Sequence, residues 1–428
     1  MSLTSDNGSN VRKALEEDLN MPRHACDAHT LGSAHSRALG LVKNKQGGAT
    51  AKSINPQVLK VLRKCAKMNK KARTPDGKRI FGGYCKTHNV KNPETVSFVV
   101  TRWSSYHAML VRVLEQEKAW LSWAVADPGK FRGCKPNDRL FRVLEQMCSI
   151  LDESARFHTL CQNPAFNFGS AHLQKQMIIA NLKEDTKIKA RNLNLDKAEL
   201  TEAELEEEPR LMRIMLREEL ERRWATMSST QLRAMATDIR TNELPDCSVR
   251  ERIDTELFIE AMIDKVNTDM GGPPSPVRPV QSVAAASTSD AALLLRMGKR
   301  PRATEQTELE QFKADDNYPV TNILEHDNCA WWHKHKAKYP KLSLVALAMG
   351  AAMPTSAGAE RDFSQAGLFL SPLKSGLNPK TVEVRMMLKK NSEYRPEQKN
   401  IPILSRQAAA AAMPGWCSEG ELAQASLQ

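Results

Sequence analysis

Apolar residues recur at helical spacing through the middle of the chain. Leu110, Val113, Leu114 and Leu121 fall on one helix face, and the apolar positions of residues 140–151 repeat the pattern. Little of residues 106–269 shows the strict alternation that is typical of a half-buried strand. We therefore predict an all-helical domain over residues 106–270.

The patterns before this domain are shorter and more varied. Residues 11–19 and 57–71 are predicted to be helical, and residues 95–101, rich in Val, Thr and Phe, predict a strand. Between them, Thr74-Pro75-Asp76-Gly77 and the pair Gly82-Gly83 predict a loop, because Pro and Gly commonly interrupt regular structure.

The composition changes after residue 270. Residues 271–290 begin Gly-Gly-Pro-Pro-Ser-Pro and continue with Ala, Ser and Thr, which bury too little apolar surface to order the backbone. We predict a disordered linker over residues 271–305 and a disordered tail over residues 401–428. Residues 298–302, Gly-Lys-Arg-Pro-Arg, are either a nuclear import signal, which would place the protein in the nucleus, or an ordinary exposed patch.

The balance of charge points to a polyanionic partner. The 428 residues carry a net charge of +12, and the pI is near 9.2, so nucleic acid is the first candidate, although many basic proteins bind none. Nine cysteines without the spacing of a small disulfide domain predict reduced thiols. No apolar run is long enough to span a bilayer, so no membrane partner is expected.

Basic residues form a stripe along the helix predicted at residues 57–71. They fall at i, i+3, i+4, i+7 and i+11, and apolar residues occupy other faces of the same helix. The members of the stripe are Lys60, Arg63, Lys64, Lys67 and Lys71. Such a stripe either follows DNA phosphates, without regard to base sequence, or is an ordinary solvated face.

A carboxylate shares an apolar helix face later in the chain. Pro354 can end one helix, and a new helix is predicted to begin near residue 357. Within it Glu360 lies at helical spacing with Phe363 and Ala366. A buried carboxylate needs a partner or a metal, whereas a glutamate in the first turn of a helix needs only the helix dipole, and both readings stay open.

Two further positions near the start of the chain are candidates for chemistry. Asp6 stands in the turn signature Asp-Asn-Gly, where it could present its carboxylate at a sheet edge or cap the next helix. Cys26 and His29 are three residues apart, which suggests a shared helix face. A closed zinc site needs four ligands, and only His24 and His35 lie nearby, so packing is the alternative to zinc.

Several of these segments resemble the hAT superfamily of DNA transposases. The motifs that carry the resemblance are Ser-Asp-Asn-Gly-Ser-Asn at residues 5–10, Cys-Asp-Ala-His at 26–29, Thr-Arg-Trp-Ser-Ser at 101–105, Ala-Trp-Trp-His at 330–333, Lys-Tyr-Pro-Lys-Leu-Ser at 338–343, Met-Pro-Thr-Ser at 353–356, Glu-Arg-Asp-Phe-Ser at 360–364 and Leu-Asn-Pro-Lys-Thr-Val-Glu at 377–383. The match covers residues 1–40, 95–112 and 328–391.

The resemblance implies an α/β RNase H-like fold with a mixed sheet that lacks its early strands, interrupted by a large all-α insertion, so that helices dominate. It divides the chain into a partial catalytic core at residues 1–105, the insertion at 106–270, and a dimerisation segment at 306–400 that completes the core. It makes Asp6 and Glu360 catalytic ligands of Mg²⁺ or Mn²⁺, and it places Arg102 and Trp103 against DNA. In the same family context Cys26 and His29 pack near the catalytic sheet.

The resemblance also implies self-association. Two stretches of this segment are rich in apolar residues: positions 345–349, and positions 382–388 on a helix that is predicted to begin at Asn378 and Pro379. They contain more apolar residues than a single helix face can bury within one domain. The predicted dimer contacts are Leu347, Val384, Met387 and Leu388.

Three hypotheses follow for the function. The first is a transposase-derived protein that dimerises and binds nucleic acid, mainly DNA phosphates without sequence preference, and that does not cut DNA, because no residue matches the first catalytic aspartate of the family. The second is a fragment of an active, metal-dependent transposase. The third is a helical interaction scaffold with no DNA role.

Overall fold

A computed structural model describes most of the first 356 residues. It covers residues 3–5, 9–20, 23–43, 52–97, 104–163, 166–189, 199–272, 306–315 and 327–356, with positions 380, 384 and 387. The chain divides into two compact units, Met1–Gly358 and Ala359–Gln428, and every element described below belongs to the first. The predicted dominance of helices is confirmed, and none of the helices in the described ranges is long and apolar enough to cross a bilayer.

Two short strands begin the first unit. Strand β1 (Leu3–Ser5) pairs in parallel with β2 (Arg23–Ala25), with Thr4 opposite His24. Helix α1 (Ser9–Lys13) and a π-helical turn (Ala14–Asp18) connect them, because parallel neighbours require a crossover. A second pair, β3 (Ile188–Lys189) and β4 (Glu199–Leu200), is antiparallel. An RNase H-like arrangement of the whole sheet stays a prediction.

The larger hydrophobic core lies among eight helices. Their bounds are α2 (Asp27–Ala38), α3 (Pro56–Ala72), α4 (Pro75–Thr87), α5 (Ser104–Glu115), α6 (Glu117–Ala126), α7 (Asp138–Leu160), α8 (Phe168–Leu182) and α9 (Glu207–Arg223). Helix α7 supplies Leu144, Met147 and Leu151 to the core at the helical spacing that its sequence predicts. The aromatic centre is the stacked pair of Phe81 and Trp120, with ring centroids 3.9 Å apart.

A second core lies among five further helices. These are α10 (Ser229–Ala236), α11 (Val249–Asp269), α12 (Glu308–Lys313), α13 (Asn328–His335) and α14 (Pro340–Gly350). Phe312, Trp331, Trp332 and Tyr339 are its aromatic residues. Since α14 ends at Gly350, the expected helix end before Pro354 is confirmed. The helix predicted to begin near residue 357, the linker at 271–305 and the tail at 401–428 lie outside the described residues, apart from Gly271 and Gly272.

Two local predictions were wrong or only partly tested. The loop expected at residues 74–83 is helix α4: Thr74 Oγ1 accepts from the Gly77 N–H as an N-cap, and Pro75 occupies the first turn. The Pro-Asp-Gly signature therefore marks a helix start here. Of the strand expected at residues 95–101, residues 95–97 are not in a strand and the rest lie outside the described ranges.

One histidine is wholly enclosed in the larger core. His35 lies in α2 with no exposed surface, and its Nδ1 is 2.8 Å from the Leu31 carbonyl oxygen. Burial lowers the pKa of His35 from 6.5 to about 4, the hydrogen bond to Leu31 opposes that shift, and the charges of His107 and His158 add to it. This imidazole therefore stays neutral in the folded protein at mildly acidic pH.

We expect this histidine to make folding sensitive to mild acid. Between pH 6.5 and about 4, His35 is protonated in the unfolded chain but not in the folded protein. The free energy of unfolding therefore falls as the pH falls through this range, by up to about 3 kcal/mol. Urea unfolding at pH 7 and pH 5 measures the loss, and His35→Leu should reduce it. His29→Leu is the control, because His29 is exposed on the same helix; equal pH dependence in the parent and His35→Leu would contradict the assignment.

Candidate functional site

The basic stripe predicted near residue 60 lies on helix α3. Its apolar side, including Val61, Leu62 and Met68, is buried in the larger core, which turns the opposite side outward. Lys60, Arg63 and Lys67 are exposed, while Lys64 and Lys71 are half-buried. Burial lowers the pKa of Lys64.

A loop extends this basic surface. Burial raises the pKa of the Cys134 thiol, and the charges of Lys71, Lys67 and Lys64 oppose that shift, so the loop carrying Cys134 lies beside α3. Arg132 and Lys135, on either side of Cys134, are exposed. We call Lys60, Arg63, Lys64, Lys67, Lys71, Arg132 and Lys135 together the basic face.

One cation of the basic face has an acidic neighbour: burial opposes the lowered pKa of Glu208, to which Lys60 contributes after Arg139. Within the described ranges, no ion pair involves Lys60, Arg63 or Lys67. By contrast, the neighbouring Arg139 is paired with Glu208, with Nη2 2.8 Å from Oε2. Free cations on a rigid helix can contact several phosphates of a nucleic acid without first breaking ion pairs.

A second arrangement joins the start of the chain to residues 353–356. Cys26 is the residue before α2, and its N–H donates to the Ser5 carbonyl at 2.8 Å. Its Sγ accepts from the Ser356 N–H at 3.3 Å, and Asp27 N–H donates to the Pro354 carbonyl at 3.0 Å. The strand that precedes Asp6 and residues 353–356 are thus both held by the beginning of α2.

The predicted catalytic and DNA-contacting residues are largely outside this description. Asp6, Glu360, Arg102 and Trp103 lie outside the described residues, so their roles stay predictions. Of the dimer contacts, Leu347 is half-buried, Val384 and Met387 are exposed, and Leu388 is not described.

Cys26 and His29 differ in their exposure to solvent. Cys26 is buried, whereas His29 is exposed. The helical spacing rule fails here because Cys26 precedes the helix and has an extended rather than helical ψ of 118°. Among the described residues there is no group of three His, Cys, Asp or Glu side chains that could hold a metal ion. The burial of Cys26 and its hydrogen bond to Ser5 of β1 favour the alternative of packing for this residue.

Sequence reasoning missed a cluster of buried polar and charged groups where β2 is followed by α2. Lys175 Nζ lies 2.5 Å from Asp27 Oδ1, and His24 Nε2 lies 3.5 Å from Asp27 Oδ2. His24 Nδ1 is 2.9 Å from Ser228 Oγ. These groups line a pocket of about 340 Å³ together with His172 and Trp224. Nothing in the sequence pairs residue 27 with residue 175, since the pair forms only when α2 packs near α8.

The ion pair sets the protonation of this cluster. Burial by itself raises the pKa of Asp27, but the charge of Lys175 and the contact with His24 outweigh it, and the net pKa is lowered. Burial lowers the pKa of His172, while the nearby Asp246 opposes that shift. Asp27 is therefore ionised in the folded protein at neutral pH, and its charge is compensated by Lys175.

Comparison with known families identifies one segment. Residues 308–392 match the family model described as the hAT family C-terminal dimerisation region. The match covers about a fifth of the chain and includes α12, α13 and α14. No curated protein matches the chain. The resemblance noted in the sequence is thus confirmed over this segment.

Proposed function

We propose that this protein, which carries an hAT-family dimerisation region and is related to the hAT transposases, binds nucleic acid through the basic face while it self-associates through that region. The matched segment supports the self-association. The exposed and unpaired cations of α3 are the observation that carries the nucleic-acid part. Duplex DNA is the proposed partner, and residues 298–302, outside the described ranges, motivate a nuclear location.

Phosphate contacts would dominate this binding. Lysine and arginine on one helix face neutralise phosphates and release condensed counterions, so the affinity falls as salt rises. Such contacts carry no base information, so little sequence preference is expected. The charges of Lys60, Arg63 and Lys67 lie at i, i+3 and i+7, which keeps them on one side of α3.

A triple substitution tests the basic face. We expect Lys60→Gln, Arg63→Gln and Lys67→Gln together to weaken duplex binding and to reduce the slope of log affinity against log salt by about 2 to 3, one unit for each lost phosphate contact. Fluorescence anisotropy with a labelled 20-base-pair duplex between 50 and 200 mM salt measures both quantities.

The matched control removes the same total charge elsewhere. Arg156→Gln, Lys183→Gln and Lys265→Gln replace three exposed cations scattered over other helices and loops, and should leave the salt slope near that of the parent. Equal losses in both triple variants would show that net charge, and not the basic face, is responsible. An affinity for the duplex that does not change with salt concentration would favour the hypothesis of a helical scaffold without a DNA role.

Metal-dependent DNA cleavage and strand transfer is the second candidate. The match at residues 308–392 favours it, because the family resemblance assigns carboxylates of the catalytic site to Asp6 and Glu360. Carboxylates of this kind hold divalent metals in phosphoryl transfer. Nicking of labelled DNA in Mg²⁺ or Mn²⁺ that both Asp6→Asn and Glu360→Gln abolish would establish this activity; its absence leaves the binding function.

A further inference from the structure

Helix α14 carries one charged residue, Lys341 in its first turn, and is almost entirely apolar after it. Residues 342–359 contain no Asp, Glu, Lys, Arg or His. One side of the helix, with Leu342, Val345 and Ala346, is buried in the second core. A helix that is apolar all round normally lies inside a protein, and a helix at the surface normally carries polar residues on its outer side.

The outer side of α14 breaks this rule. The Leu344 side chain is 48% exposed, Leu347 is half-buried, and Ala348 and Ala351 are exposed. These four residues lie at i, i+3, i+4 and i+7, so they share one face. We call them the outer face of α14. Contiguous exposed apolar surface of this kind marks a site of interaction.

Neighbouring elements fix the direction of this face. The Glu308 carboxylate of α12 accepts from the backbone N–H groups of Lys341 and Leu342, at 3.0 and 2.7 Å. Lys313, at the end of α12, is ion-paired with Glu256 of α11. The first turn of α14 is therefore held by a negative charge at the positive end of its dipole, and its outer face is presented by a fixed helix.

We propose that the outer face of α14 packs against the same face of a second copy of this chain. The proposal rests on the self-association proposed above and identifies its surface. Helix α14 lies inside the segment that matches the hAT dimerisation region, which makes a second copy the occupant that the chain itself indicates. Two-fold dimers place the same patch of both subunits in contact. The small side chains of Ala348 and Ala351 let two helices approach closely, and the one charge on this side of the helix, Lys341, lies at its N-terminal end.

Charge substitution at Leu344 tests the face in the full-length protein. The parent should be a dimer by light scattering at tens of micromolar. Leu344→Glu should raise the dimer dissociation constant at least about 30-fold, since the contact would bury two facing carboxylates without partners. Because Leu344 is half exposed in the single chain, the variant should keep the circular dichroism and melting temperature of a folded protein.

Two further samples separate the possible outcomes. Val125→Glu, on α6 at 80% exposure, is the control and should dimerise like the parent. Mixing Leu344→Glu with Leu344→Lys copies should restore association as heterodimers, because opposite charges then meet across a shared face. A general loss of solubility or fold would not be rescued in this way.

The failures are also distinguishable. If the parent dimerises and Leu344→Glu dimerises equally well, the outer face of α14 is the wrong surface while the proposed self-association stands. If the parent is a monomer at every concentration, both proposals are overturned. A monomeric parent whose melting temperature falls in Leu344→Glu would show that Leu344 is covered within a single chain.

Discussion

Replacing Trp332 with alanine is expected to lower the free energy of unfolding by about 3–5 kcal/mol, which is the usual cost of deleting a fully buried tryptophan side chain. Trp332 has no exposed surface. Its ring lies 4.9 Å from that of Phe312 and 4.8 Å from that of Trp331, measured between centroids. Removing the indole leaves the centre of the second core without one of its two tryptophan side chains.

A hydrogen bond adds to this loss. Trp332 Nε1 donates to the Thr237 carbonyl oxygen at 2.8 Å, which ties α13 to the end of α10. Trp332→Phe keeps most of the apolar volume and loses this bond, so we expect a smaller cost of about 1–2 kcal/mol. Urea unfolding followed by far-UV circular dichroism measures both variants. Cys329→Ala, an exposed position on the same helix, is the control and should change stability by less than about 0.5 kcal/mol.

The result also reports on the two cores. If they unfold together, Trp332→Ala shifts one transition. If they unfold separately, only one of two transitions moves, and that transition belongs to the second core. A loss below about 1 kcal/mol in Trp332→Ala would contradict the enclosed position of this residue.

Lys175→Met is expected to cost a similar amount, about 3–5 kcal/mol at pH 7, because it leaves the Asp27 carboxylate buried without its cation. Both side chains are almost fully enclosed, at 6% and 3% exposure. Methionine keeps the length of the lysine side chain, so the change removes charge more than volume. Urea unfolding at pH 7 measures the cost.

The double variant is the decisive control. Asp27→Asn with Lys175→Met removes both charges, and it should be more stable than Lys175→Met alone, since no uncompensated ion is buried. If the single and double variants lose the same stability, the ion pair is not the cause.

Lowering the pH should reduce the stability that Lys175→Met loses relative to the parent. In the parent, the lowered pKa of Asp27 contributes stability at neutral pH that is lost as pH falls through the folded-state pKa. In Lys175→Met burial is opposed only by the contact with His24, so the pKa of Asp27 rises. The stability difference between parent and variant should therefore narrow as the pH falls from the raised pKa of Asp27 in the folded variant to its lowered pKa in the folded parent.

Local sequence signals predicted some elements well and misread others. The amphipathic pattern of α3 was sufficient to place the apolar face of Val61, Leu62 and Met68 inward and Lys60 outward. The Thr-Pro-Asp-Gly stretch was misread as a loop because the same residues serve turns and helix starts, and only the bond between Thr74 Oγ1 and Gly77 N–H distinguishes them.

The pattern of apolar and polar residues did not predict contacts between residues that are far apart in the sequence. Asp27 reads as a helix-starting residue next to Cys26, and nothing nearby in the sequence indicates that Lys175 neutralises it. The same holds for α14, whose apolar residues predicted self-association without showing which side its own core would bury. Val345 was one of the apolar residues behind that prediction and is enclosed in the second core, whereas Leu344, which was not singled out, is half exposed.

The position of Cys26 has a consequence for thiol chemistry. Its sulfur lies at full burial behind residues 353–356, and it accepts the Ser356 N–H. An alkylating reagent can reach this sulfur only after the structure around it opens, and detachment of that segment is a local way to open it, so the labelling rate at Cys26 reports how often the sulfur becomes exposed. Cys329, which is exposed, reacts without any opening and serves as an internal reference in the same molecule. The ratio of the labelling rate at Cys26 to that at Cys329 therefore measures how often the structure opens at the junction between strand β1 and the residues that follow α14.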